Sequence, residues 1–208
     1  MKTVTAVLVL VVVTMANTPS AQDRMPPIPP QKMTDAQKKA IEEFRAARNT
    51  AGISGPFVPL LRSPEVMNRA RAMGDYLRFK SVLPPRLSEF AILITAREWT
   101  QNYEWGAHHR LALQGGLAPA VAQALAEGRR PEGMKDDEAV LYEFCTELHR
   151  NKSVSDATYA KAVAHFGEQG VIDMIGISGY YTLLAMVLNT ARTPLPDGRQ
   201  PALAPFPR

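Results

Sequence analysis

The chain has 208 residues, of which 46% are hydrophobic and 21% charged, a balance that fits an ordinary folded domain and excludes disordered, collagen-like and disulfide-stapled chains. Its 24 Lys and Arg residues stand against 20 acids, for a net charge of +4. No basic stripe interleaved with aromatics stands out, so no nucleic-acid partner is expected.

Met1-Lys2 is followed by an uncharged run, Thr3 to Met15, dominated by Val and Leu. That is a basic n-region and an apolar stretch too short for a stable membrane span. Residues 1–21 are therefore expected to be a secretory signal, cut after Ala16 or near Ser20-Ala21. Its removal takes away Lys2 and lowers the net charge from +4 to +3. The mature protein is expected to be exported, periplasmic or secreted, and free of the membrane. Residues 22–33 contain Pro26, Pro27, Pro29 and Pro30 and read as an extended tether, while residues 193–208 contain five prolines and read as a tail. The folded unit is expected over residues 34–192.

Within it the hydrophobic pattern is helical nearly throughout, which predicts an all-α fold of about seven to eight helices. Thr34 to Gln37 has the form of a capping box and opens a helix to about Arg48. Ser63-Pro64 opens one to about Phe79. Pro84-Pro85 starts a third, apolar almost all round from Leu87 to Ala96 with Glu89 as its one acid, and expected at the centre of the core. A helix from about Asn102 to Gln114 stops at Gly115-Gly116. Further helices are predicted over Pro119 to Glu127, Asp136 to Arg150, Asp156 to Phe166 and Glu168 to Leu188, the last packed in the core or in a subunit interface.

The chemistry concentrates between Glu89 and His109. Glu104 and His108, at i and i+4, share one helical face, so three titratable groups can converge. A carboxylate among Phe90, Ile92 and Leu93 should be reluctant to ionise and suited to proton transfer. The plainer alternative makes Glu89 a helix-start acid and Glu104–His108 a solvated pair. Arg97 and Arg110 are candidates to hold an anionic group. A metal site on Glu89, Glu104 and His108 lacks the usual further His ligands, and none is expected. His149 and His165 lie near helix C-termini, where a cation is favoured. Cys145, the only cysteine, reads as a small buried apolar residue.

The order Glu89, then eleven residues, then Gln101-Asn102-Tyr103-Glu104-Trp105-Gly106-Ala107-His108, resembles the carboxymuconolactone decarboxylase and alkylhydroperoxidase D-like superfamily. The family's Glu, two cysteines and His fall on Glu89, Gln101, Glu104 and His108, so the thiol pair is missing. Tyr103-Glu104-Trp105-x-x-His108, Phe166 to Val171, Gly179-Tyr180-Tyr181 and Leu188-Asn189 resemble the decarboxylase-type branch, and the likeness covers about residues 60–195.

That resemblance implies an alkylhydroperoxidase D-like helical fold, commonly a homo-oligomer (trimer or hexamer), with sites near subunit contacts. For such chemistry Glu89, Glu104 and His108 are expected as catalytic groups and Arg97, Arg110 and Trp105 as substrate-binding ones. The expected activity is cofactor-independent decarboxylation or proton transfer on a small anionic lactone or carboxylate. The alternatives are a peroxiredoxin-type redox protein and a non-catalytic helical binding or assembly module.

Overall fold

Helix starts follow the local chemistry of the chain. Thr34 Oγ1 accepts the Gln37 N–H at 3.2 Å and Gln37 Oε1 accepts the Thr34 N–H at 3.0 Å, a closed capping box at the head of α1 (Asp35–Arg48). A one-turn helix that periodicity could not show, α2 (Phe57–Leu60), comes next. Proline occupies the first position of α3 (Pro64–Phe79) and α4 (Pro85–Glu98), its fixed φ already helical and its missing N–H no loss there. Ser63 caps α3 by position alone, because its side chain makes no cap hydrogen bond. Then follow α5 (Asn102–Gln114), α6 (Pro119–Ala126), α7 (Asp136–Asn151) and α8 (Asp156–Ala191).

The computed structural model describes residues 22–196 and 200–204, with eight α-helices and no strand among them. The expected signal and its cleavage site fall in residues 1–21, outside the described residues, as do 197–199 and 205–208. The two helices expected on either side of Gly167 form one run, α8, broken in its dihedrals at that glycine (φ 66°, ψ 173°). Only glycine adopts that region without strain. By length and composition α8 passes for a membrane span, yet 56% of its most apolar window is buried inside the protein.

Every residue of α4 from Leu87 to Arg97 is buried, and α5, α7 and α8 pack around it. An all-round apolar helix has no face to offer water, so it becomes the axis on which the others lay their single apolar stripes. A tight turn returns the chain from α4 to α5: Thr100 takes φ 47° and the Gln101 N–H bonds to Ala96 O at 2.8 Å. The two helices are therefore closely packed neighbours.

Both proline-rich ends are held against this body. The Arg24 N–H donates to Ala191 O and Arg62 Nη2 to Pro26 O, each at 2.8 Å. Near the C-terminus Leu203 is buried in the core, and its N–H donates to Asn102 Oδ1 at 2.8 Å. Within the tail read from proline content, residues 200–204 thus form a docked strap. The buried Leu203 and its backbone hydrogen bond hold it, with no helix among the described residues.

Candidate functional site

Glu89, in the second turn of α4, and His108, in the second turn of α5, meet because the short turn sets the helices side by side. His108 Nδ1 lies 2.6 Å from Glu89 Oε2, and Nε2 lies 3.5 Å from Glu104 Oε2 one helical turn earlier. All three side chains are buried, at 8%, 4% and 6% exposure for Glu89, Glu104 and His108. Burial disfavours the imidazolium, but the hydrogen bonds and charges of Glu104 and Glu89 outweigh it and raise the His108 pKa above its ordinary value. Each ring nitrogen thus faces one carboxylate. The Tyr181 ring stands edge-on to His108 at 5.0 Å.

The setting of Glu89 differs from the apolar one expected. Phe90, Ile92 and Leu93 are core residues, but the Glu89 carboxylate itself faces His108 and, at 4.0 Å from Oε1, Arg78 Nη2. Glu104 Oε1 is buried with no hydrogen-bond partner. Such a lone pair is costly to leave unmet and is ready for a proton or a ligand donor.

A cleft of about 200 Å³ opens onto Glu104 and His108, walled by Phe57, Tyr103, Tyr180 and Tyr181 and by the loop Ser54–Pro56. Two guanidiniums line it, those of Arg48 and Arg78. Arg48 is braced, with Nε 2.9 Å from Asp75 Oδ1 and its charge over the Phe44 and Phe57 rings at 5.0 and 4.8 Å. Arg78 is looser: its Nε is buried without a hydrogen-bond partner, and Nη2 stays beyond hydrogen-bond range of Glu89. Glu89 does not line the cleft and touches it through His108 and Arg78, which do.

Arg97 and Arg110, expected as anion binders, lie elsewhere. Arg97 is buried at the end of α4 and its Nη1 donates to Ala204 O at 2.8 Å, tying down the strap. Arg110 is exposed and its Nη1 donates to Gln114 Oε1 at 3.0 Å. Trp105 is a core residue stacked on His109 at 5.8 Å. None of the three lines the cleft. Sequence reasoning missed Arg48 and Arg78; the only signal was that each lies in the last turn of a helix.

Gln101 caps α5: its Oε1 accepts the Tyr103 N–H and its Nε2 donates to Asn189 Oδ1, both at 2.7 Å. Cys145 is fully buried on α7, and burial pushes its thiol up to about 12. A thiol this reluctant to ionise is a poor nucleophile. Both nitrogens of His108 already face carboxylates, and no set of three His, Cys, Asp or Glu among the described residues is placed to hold a metal.

An all-helical protein with a buried Glu–His–Glu set between two adjacent helices is the class defined so far. Comparison with known proteins identifies the fold. No family model and no curated protein matches the sequence. Among solved structures, a peroxidase-related protein with an alkylhydroperoxidase D core from Ralstonia eutropha JMP134 superposes with a TM-score of 0.67 at 18% identity, covering 84% of this chain and 92% of that one. The debrominase Bmp8, in complex with 2,3,4-tribromopyrrole, gives 0.65 at 9% identity over 86% and 94%. A peroxidase-related protein from Silicibacter sp. TM1040 gives 0.61 at 17% over 86% and 93%. The chain has the alkylhydroperoxidase D-like fold.

Proposed function

We propose that the protein is a cofactor-independent lyase or proton-transfer enzyme of the carboxymuconolactone decarboxylase type, acting on a small anionic lactone or carboxylate. The observation that carries this reading is the clamp on His108: one imidazole between two buried carboxylates, with Glu104 Oε1 unpaired at the cleft. Arg78 and Arg48 hold the substrate's anionic group. In decarboxylation the bond from carbon to the carboxylate breaks, CO₂ leaves, and the electron pair passes into a conjugated carbonyl as an enolate. The proton shared by His108 Nε2 and Glu104 is then delivered to carbon. Glu89 is a positioning group that fixes the imidazole ring and favours its charged form.

Purified protein is to be screened with small lactones and carboxylic acids for CO₂ release and solvent deuterium uptake. Glu104→Gln and His108→Asn should each lower the rate at least about a hundredfold, and Cys145→Ser should leave it unchanged. Activity lost with Cys145→Ser and kept with His108→Asn would return the assignment to a thiol enzyme. Export through residues 1–21 and assembly as a homo-oligomer complete the proposal. For assembly the support is an apolar stripe on the outer face of α8, Ile172, Ile175, Leu183 and Met186, exposed at helical spacing.

A further inference from the structure

Two clefts of the protein share a wall. The cleft that holds Glu104 and His108 has Ser54, Gly55 and Tyr103 on one side, and a second cleft of about 440 Å³ lies against the same three residues. Gly55 is needed at this boundary. It takes φ 57°, and a Cβ there would stand 2.7 Å from the Tyr103 ring, so only glycine lets the ring lie against the loop.

The two chambers differ in chemistry. The inner one presents two guanidiniums and the acid–imidazole pair. The outer one is formed by Ile53 and Val58 together with both proline-rich ends, which contribute Met25 and Leu195, and among the described residues its single charged side chain is Asp23. Asp23 Oδ1 already accepts the Met25 N–H at 2.9 Å. The outer walls are anchored to the body through the Arg24 N–H to Ala191 O and Arg62 Nη2 to Pro26 O.

We infer that the site takes an amphiphilic monocarboxylic acid, its carboxylate on Arg78 and Arg48 in the inner cleft and its alkyl chain passing Tyr103 into the outer one. This rests on the proton-transfer reading for the chemistry, though not for the binding. The polarity is fixed by charge. A carboxylate in the outer cleft would face Asp23 with no cation among the described lining residues, and an alkyl chain in the inner cleft would strand two guanidiniums.

Two series test this: straight-chain acids from butanoate to decanoate, titrated by calorimetry, and the matching β-keto acids, followed by CO₂ release above the spontaneous rate. Affinity should rise about fourfold per methylene, equivalent to about 0.8 kcal/mol, until the outer cleft is filled. Val58→Ser and Leu195→Ser should shrink that increment, whereas Arg78→Gln should weaken every acid by the same factor of about ten or more. A flat series in the unaltered protein overturns the inference while leaving the proton-transfer reading to its own assay. Equal binding of alkyl amines overturns the head-group assignment. A rising series with no catalysed CO₂ release supports the inference and counts against the lyase.

Discussion

Two histidines with the same side chain are pushed in opposite directions by their surroundings. His108 sits between carboxylates, and their hydrogen bonds and charges raise its pKa against the effect of burial. His149 was expected to favour the cation from its place near the end of α7, but burial and the nearby Lys152 charge lower its pKa to about 4. Its Nε2 meets Thr95 Oγ1 at 3.1 Å, and that hydroxyl donates to Ala91 O at 3.0 Å, so the neutral ring donates from Nε2. Lys152 instead supplies the positive charge at the helix end, its Nζ donating to His149 O.

Opposite slopes in stability follow. In an unfolded chain His149 takes up a proton near pH 6.5 and in the native protein only near 4. Stability is therefore full above about pH 6.5 and falls as pH drops toward 4, by on the order of 3 kcal/mol. Urea denaturation across that range should show the fall, and His149→Gln should flatten it. His108 has the reverse sign. Its raised pKa contributes stability below the unfolded value, and the contribution is lost as pH climbs through the folded one. His108→Asn should remove that alkaline arm and leave the acid arm in place.

At the level of helices, much was legible because starts and stops are local. The Thr34 box, the prolines opening α3 and α4, and Gly115-Gly116 closing α5 each act within one turn, and a single sequence contains all that is needed to see them. The meeting of Glu89 with Glu104 and His108 was legible for a related reason: i, i+4 spacing joins two of them and a three-residue turn brings the third. Arg48 and Arg78 arrive from α1 and α3, far along the chain, and nothing in periodicity tells a cleft-lining arginine from a solvated one. Arg97 and Arg110, candidates for the bidentate hold a guanidinium gives an anion, bond instead to Ala204 O and Gln114 Oε1.

The starts of α4 and α7 are joined by Arg86, whose Nη2 lies 2.6 Å from Asp137 Oδ2 and whose Nη1 also reaches Glu138. That guanidinium holds the Asp137 carboxyl below its usual range, and Glu138 is 1% exposed. Arg86→Ala leaves the buried Glu138 carboxylate without its cation, though still accepting the Lys135 N–H, and should cost about 3 kcal/mol in chemical denaturation.

For the whole molecule, the C-terminal strap connects the surface to the site. Asn102, which accepts the Leu203 N–H, begins the helix that bears Glu104 and His108. Deleting residues 201–208 removes one buried leucine and should lower stability by about 2 kcal/mol, and any activity should fall with it because the head of α5 loses its tether. Leu203→Ala should reproduce part of both effects. Calorimetric melting and the deuterium assay read the two separately. This docking was illegible in a proline-rich sequence, since nothing local marks which of several apolar residues finds a slot. If the outer face of α8 joins copies of the chain, Ile172→Glu with Leu183→Glu should shift light-scattering mass to the monomer.

Cys145 lies fully buried on α7, its Sγ 3.8 Å from the Ser178 hydroxyl of α8. A lone thiol sealed where those helices meet is a reporter already built into the chain. A maleimide dye should stay unreacted while the helices are closed and attach at the rate at which they part, so one fluorescence trace would time the opening of the interior.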